Sequence, residues 1–522
     1  MSPKQPSDGS GPLSQRALLG LAFMILTACG SAGPAQQTYP TLGAPPPSET
    51  CAGLDAAVQA AVDAAGVADA EAERLERLPY LRLSRLLASF QADLDTPEKR
   101  MAWLDRAGAL DHQARVGELA SLPPAARTML PPDTIDRLAT CRTQQTQTLL
   151  DAWVVTAQRV RRARVPDRYA AAARTLGLYP LTAAGVTIGI ARWQRDTLER
   201  FEQLPEESIT AGQWTVWGHH GSPQSTAGLF PLPTDALALP VVSDSVVETL
   251  AHAHAPIIVI DTATSDDLPG HPIWQRTEGS GLRPGVDTAV PAMFVRTAIT
   301  RFAGRPRLQL VYTIWFGART ATGWFDPYAG RLDGLIWRVT LDAQGQPLLY
   351  DSIHACGCYH LFFPVPPVQR VAVAADADGE EAPFTIGPAP VLREGERIVL
   401  HVQAGAHYLT HIGTDVPVSS ERRYWSLVLP QDGVPDAALR QLPVPGVPGN
   451  RRSLFGDNGL IAGTDRLERF YLWPMGIASA GAMRQWGHHA TAFVGRRHFD
   501  DPFLFDAAFV MNHERSSAGG VQ

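Results

Sequence analysis

The stretch Leu335-Ile336-Trp337-Arg338-Val339-Thr340-Leu341, then Asp342-Ala343-Gln344-Gly345-Gln346, then Pro347-Leu348-Leu349-Tyr350-Asp351-Ser352-Ile353 reads as two apolar strands joined by a polar turn. Branched and aromatic side chains flank a reversal rich in turn-forming residues, so the segment predicts a β-hairpin. Similar runs lie on either side of it. Leu308 to Phe316 is apolar and aromatic, Ile257 to Ile260 is β-branched, and further strands are expected at Arg397 to Gln403 and Tyr424 to Leu429. Pro364-Val365-Pro366-Pro367 and the stretch from Pro430 to Pro448 separate these pieces, the punctuation of a β-rich domain with long loops. No repeat period marks a propeller or a solenoid.

Before Trp214 the character of the chain changes. From Cys51 to Leu204 it is rich in Ala, Leu, Arg and Glu, with helical spacing in Leu83, Leu86, Leu87 and Phe90, and in Leu138, Leu149, Trp153 and Val160. Ser48 and Thr50 are placed to cap the first helix. Pro131-Pro132-Asp133-Thr134 supplies a turn and an N-cap before a long helix running toward Ala163, which Pro166 ends. Tyr179-Pro180 separates two further helical stretches. Gly185 and Gly189 have the GxxxG spacing, which outside a membrane predicts close helix packing. The expected class is α+β, an all-helical region over 51–205 followed by a β-rich domain over 206–522.

The N-terminus carries a different signal. Leu26-Thr27-Ala28-Cys29 closes an apolar run from Ala17 that follows Lys4 and Arg16, and this run is too short to span a bilayer as a helix. It resembles the lipobox of bacterial lipoprotein precursors. The resemblance implies that residues 1–28 are a signal peptide and that Cys29 becomes the acylated, palmitate-type anchor. In double-membrane bacteria, Gly30 rather than Asp after that cysteine implies the outer membrane, facing the periplasm. Residues 29–50 are mostly small, Gln or Pro, with Pro45-Pro46-Pro47 near their end, and read as an extended tether. Past Ala28 no apolar stretch approaches the roughly 20 residues a membrane helix needs, so the lipid is the expected attachment to the bilayer.

Charge excludes one class of partner. The chain has 45 Lys and Arg against 52 Asp and Glu, a net charge of −7, and loss of Lys4, Arg16 and Asp8 with residues 1–28 makes it slightly more negative. With no Lys/Arg-rich run, nucleic acid is not an expected partner.

Five cysteines are present. If Cys29 is lipidated, Cys51 and Cys141 remain in the helical half, where a disulfide is expected in an oxidising compartment, two buried thiols being the alternative. Cys356 and Cys358 lie in His354-Ala355-Cys356-Gly357-Cys358-Tyr359-His360, directly after the hairpin. Thiolate and imidazole donors at His354, Cys356, Cys358 and His360 suit zinc or copper. In an extended strand the first and last would be about 20 Å apart, so one ion requires Gly357 to bend the chain. A Cys356–Cys358 disulfide, or simple packing, competes with the metal.

Other histidines cluster in the β-rich half. Trp217-Gly218-His219-His220 recurs as Trp486-Gly487-His488-His489, His252 and His254 alternate, and His401, His407 and His411 follow one another. Arg466 to Asp506 packs Arg469, Trp473, Arg484, Trp486, Arg496, Arg497, His498, Asp500 and Asp501 together, either as a polar pocket for an anionic or sugar-like group or as an ion-paired loop. Asp261, Asp266 and Asp267 are acid/base candidates that could equally cap turns. No nucleophile elbow, phosphate loop, dinucleotide fingerprint or EF-hand occurs.

The segment around Cys356 and the stretch from Trp473 to Asp501 resemble parts of uncharacterised bacterial proteins, a resemblance that carries no activity. The expected function is a lipid-anchored envelope lipoprotein that binds an envelope protein or small-molecule ligand through its β-rich half. The alternative is a metal-dependent envelope enzyme, a hydrolase using His354 to His360.

Overall fold

The computed structural model describes residues 50–203, 211–219, 224–279, 281–371, 380–393, 395–416 and 421–511. The expected signal peptide, Cys29 and the tether up to residue 49 lie outside the described residues, as does His220. The fold is α+β. Helix α1 (Cys51–Ala65) begins where the Thr50 hydroxyl accepts the Gly53 N–H, as expected of a cap. Then come α2 (Pro97–Ser121), α3 (Thr134–Asp151), α4 (Trp153–Arg162), α5 (Tyr179–Glu202) and α6 (Asp244–His254).

The single long helix expected before Ala163 is divided at Ala152, the boundary between α3 and α4. There the Thr156 hydroxyl donates to the carbonyls of Leu149 and Ala152, a local competitor to the helical ladder. The region 51–205 is also not purely helical. Glu73–Arg74 pairs antiparallel with Arg82–Leu83. Arg82 explains the pairing: its buried guanidinium reaches Asp111 at 3.3 Å and Glu118 at 2.7 Å on α2, which ties the short strand to the long helix.

The main strands are β1 (Gln213–Gly218), β2 (Ile257–Thr262), β3 (Pro269–Arg276), β4 (Leu282–Asp287), β5 (Ala292–Phe302) and β6 (Arg305–Arg319). They continue with β7 (Gly330–Leu341), β8 (Pro347–His354), β9 (Leu361–Pro364), β10 (Val399–Val402), β11 (Leu409–Gly413), β12 (Glu421–Tyr424) and β13 (Ser426–Val428). The quoted hairpin is β7–β8, in register at Val339↔Tyr350 and Arg338↔Asp351.

In the larger sheet β9, β8, β7 and β6 are consecutive neighbours. The far edge of β6 pairs with β5 along most of its length and with β3 at its end. The smaller sheet runs β11, β10, β2, β1, β12. Alternation along β6 assigns the two faces. Leu310, Tyr312 and Ile314 join Trp217, Ile260 and Leu400 of the smaller sheet in one core, whereas Val311 and Trp315 join Met483 and Phe499 in another. Both faces of the large sheet are therefore buried, one by the second sheet and α6, the other by the largely irregular C-terminal chain. All described residues belong to one compact unit.

Candidate functional site

The segment after β8 turns as a metal site would require, but its side chains diverge. Gly357 adopts φ +93°, and a Cβ there would stand 2.7 Å from the Ala490 carbonyl oxygen, so only glycine fits the bend. Cys356 and Cys358 are free and buried, and the Cys358 N–H points at the Cys356 sulfur, 3.4 Å away. Contact with the Cys356 thiol and burial both push the Cys358 thiol well above the usual range. His354 and His360 belong to two separate carboxylates, Asp333 and Asp351. The structure thus does not bring the four expected ligands to one point. Among the described residues no three His, Cys, Asp or Glu side chains are grouped to hold an ion.

His360 closes a structural triad. Its Nε2 lies 2.8 Å from Asp351 Oδ2, and Arg338 donates to both oxygens of the same carboxylate, at 2.9 and 2.5 Å. The Phe499 ring stacks on the Arg338 guanidinium at 3.7 Å. Burial pushes His360 down to about 4 despite Asp351.

His354 belongs to a longer relay. Asp333 Oδ1 is 3.4 Å from His354 Nδ1, Asp333 Oδ2 is 2.9 Å from His407 Nδ1, and His407 Nε2 is 3.4 Å from Asp267 Oδ1. Phe316 stacks face to face on His407 at 3.9 Å. Burial disfavours charge throughout, yet the two carboxylates raise His407 above its ordinary value. Burial is likewise overcome at Asp333, held well below the carboxylate range by His354 and His407. At Asp267, hydrogen bonds from His407, Gly405 and Thr264 bring it to about 2. The two carboxylates favour the protonated imidazole against its burial. His354 Nε2 has no partner among the described residues, and His354 lines a small cavity of about 10 Å³ with Ser352, Tyr359 and Tyr408, room for about one water. The relay holds a proton in place but offers no space for a substrate.

The other sequence candidates divide in the same way. Asp267 caps the Thr264 turn and Asp261 accepts the Ala211 and Gly212 N–H groups, the capping role weighed for loop aspartates. His401 and His411 face each other across β10 and β11, 5.6 Å apart. The two Trp-Gly-His-His copies have different surroundings: His219 meets Arg397 and His252, while His488 bonds the Ala70 carbonyl. Within Arg466 to Asp506, Arg484 and Arg497 bond backbone carbonyls, Arg496 pairs with Asp167, and Asp500 pairs with Arg85. That pattern anchors irregular chain to the interior.

Substrate-sized space lies elsewhere. A cleft of about 950 Å³ opens between α2 and β5. Its walls are mainly apolar, with Leu86, Met101 and Leu110 on the helical side and Ala298, Ile299 and Leu308 on the sheet side. One end is ionic. Arg296 pairs with Glu71 at 2.8 Å and with Asp436 at 2.6 Å, and its guanidinium lies 4.4 Å from the Trp486 ring. Arg440 adds bonds to Asp69 and Glu71 from behind. Burial raises Asp436 although Arg296 and Arg440 oppose it. Trp486 and Asp500 were legible as candidates. Arg296 and Glu71 were not, because their significance rests on a pairing 225 residues apart. The only local signal was an arginine inside an apolar strand, Val295-Arg296-Thr297.

Compared with known proteins, the chain matches no family model, no curated protein and no solved structure.

Proposed function

We propose that this chain is a lipid-anchored cell-envelope protein, held by Cys29 at the outer membrane and facing the periplasm, that binds an amphipathic ligand in the cleft between α2 and β5. The cleft carries the reading. Its volume of about 950 Å³ lies in the range of small-molecule sites, and its apolar walls end in a fixed polar group set. A ligand that fits buries an apolar body against Met101, Leu110 and Ile299. It presents a polar group to Glu71, Arg296 and Trp486. Both the helical segment and the β-rich segment then contribute to binding, rather than the β-rich half alone.

Ala109 lies exposed on the α2 face of the cleft, so Ala109→Trp fills the space without disturbing the core. Native mass spectrometry of the full-length protein extracted from membranes tests the proposal. The expected result is a non-covalent bound mass, released by organic solvent and absent from Ala109→Trp. A wild-type protein with no bound mass, and no binding of a fluorescent amphiphile that Ala109→Trp weakens, would refute it. The mass of the N-terminal peptide tests the anchor separately, with an acylated Cys29 expected.

A further inference from the structure

A second surface, sharing no residue with the cleft, is aromatic and open. Trp324 is fully exposed, and Phe325, Tyr328, Phe470, Tyr471 and Trp473 are all more than a third exposed. The two segments adjoin, since the Glu468 N–H donates to the Pro327 carbonyl at 3.1 Å. The start of α5 continues the surface: Pro474 lies against Gly177, and the Ala170 N–H donates to the Gly476 carbonyl. Helix α5 turns Ala183 inward toward Leu472 and Met475 and leaves Leu181 and Ile188 each 73 % exposed. Sequence spacing predicts that Gly185 and Gly189 pack closely against a neighbour. Instead, a Cβ at either would meet nothing within 4 Å. Between Arg174 and Arg192 there is no charged residue.

We propose that this face seats the body on the surface of a lipid bilayer. Trp, Tyr and Phe beside Arg are the side chains that settle at the boundary between headgroups and acyl chains, because each aromatic ring is apolar and Trp and Tyr add a polar edge. The charges follow the same logic. Carboxylates of these segments are engaged within the protein: Asp326 accepts the Thr322 and Tyr328 N–H groups, Asp465 binds Arg469 and Ser479, and Glu468 is buried. Arg331 is exposed, which suits anionic headgroups on a chain whose net charge is −7. The proposal rests on the lipid-anchor reading only for bringing the body to the membrane. Residues 29–49, fully extended, would reach about 70 Å, beyond the roughly 25 Å radius of gyration of a body this size, so the tether does not choose the face.

The test places an environment-sensitive fluorophore at position 324 or 473, through Trp324→Cys or Trp473→Cys in the full lipidated chain, with Val154→Cys on α4 as an exposed control. The protein is reconstituted on vesicles of phosphatidylethanolamine and phosphatidylglycerol that contain lipids brominated just below the headgroup. Expected are a blue shift at 324 and 473 and quenching several-fold stronger than at 154, both reduced by Ile188→Glu. Equal quenching at all three sites overturns the proposal. So does a blue shift without vesicles that tracks formation of a dimer in sedimentation, which would assign the face to a second copy. If the N-terminal mass shows no acyl group, the anchor reading fails by itself. The same reporters, with Cys29→Ser, are then titrated with the same vesicles and decide this proposal by the same shifts.

Discussion

Buried imidazoles dominate the acid response. Burial pushes His254, His360, His401, His488 and His498 down to about 4 and His489 to about 3. An unfolded chain, whose histidines titrate near 6.5, binds protons these sites refuse, so stability falls as pH drops from about 6.5 to 4. His407 has the opposite sign. Its raised value contributes stability that is complete below the unfolded value and lost as pH rises through the folded one. Asp267 and Asp333 contribute stability present above about 4, lost only as pH falls toward their depressed values. Thermal unfolding followed from pH 8 to 4 is expected to show Tm falling most steeply below pH 6.5, ahead of the carboxylates. A flat profile over that interval would contradict the buried-neutral assignment. Asp333→Asn, which leaves His407 with one carboxylate, is expected to cost about 3–5 kcal/mol in denaturant melts. The free thiols give a further check. Cys356 and Cys358 are buried, so a thiol reagent at pH 8 should find neither in the folded protein and both after unfolding. At this scale the Thr50 cap was readable, since it acts within three residues, whereas Asp133 stands at the start of α3 without a side-chain capping bond. The charge partners of His354 and His360 were not, because Asp333 and Asp351 lie on strands whose facing direction only pairing reveals.

The elements were legible in proportion to how local their causes are. The β7–β8 hairpin stands where two apolar, branched and aromatic runs and the Asp342 turn place it, with Asp342 accepting the Gln344 and Gln346 N–H groups. Ile257 to Ile260 and Leu308 to Phe316 became β2 and β6, each longer than its apolar run because sheet neighbours extend the pairing. The division of α3 from α4 is not legible in the sequence, because Thr156 acts through a side-chain bond that periodicity does not register. The disulfide is an element-scale staple. Cys51 on α1 and Cys141 on α3 are joined across 90 residues, with Cα atoms 5.4 Å apart. Replacing both by Ala should destabilise the protein by roughly 2–5 kcal/mol, seen as a lower denaturant midpoint, and reduction of the wild type should have the same effect. An unchanged midpoint would mean that the contact between α1 and α3 holds without the bridge.

Across the protein, helices and sheets are joined by one buried ionic chain. Arg82 links to Glu118 on α2, and its guanidinium also bonds the carbonyl of Asp69. Arg440 bonds the carboxylates of Asp69 and Glu71, and Glu71 pairs with Arg296 on β5. Such a chain makes the helical segment and the sheet interdependent, so a single cooperative unfolding transition is expected by calorimetry, not two. Glu71→Gln deprives Arg296 and Arg440 of a shared carboxylate at once. It should lower stability by about 3–5 kcal/mol and weaken ligand binding at the polar end of the cleft, while Gln147→Ala, on the exposed side of α3, should do neither. Retention of wild-type stability in Glu71→Gln would show that the chain does not couple the two segments.

Strand runs, the hairpin turn, the Thr50 cap and the pairing of Cys51 with Cys141 could be read before any coordinates, the first three because a few neighbouring residues suffice to cause them and the last because both cysteines fall in the helical segment. The sheet order, the separation of His354, Cys356, Cys358 and His360, the Asp–His relay and the cleft could not. Each depends on which side chains meet once strands and helices pack, from 9 residues apart for His360 and Asp351 to 369 for Arg440 and Glu71. A buried charge states in the sequence that it needs a partner, but burial and the partner's identity are set only when the sheets and α2 pack together.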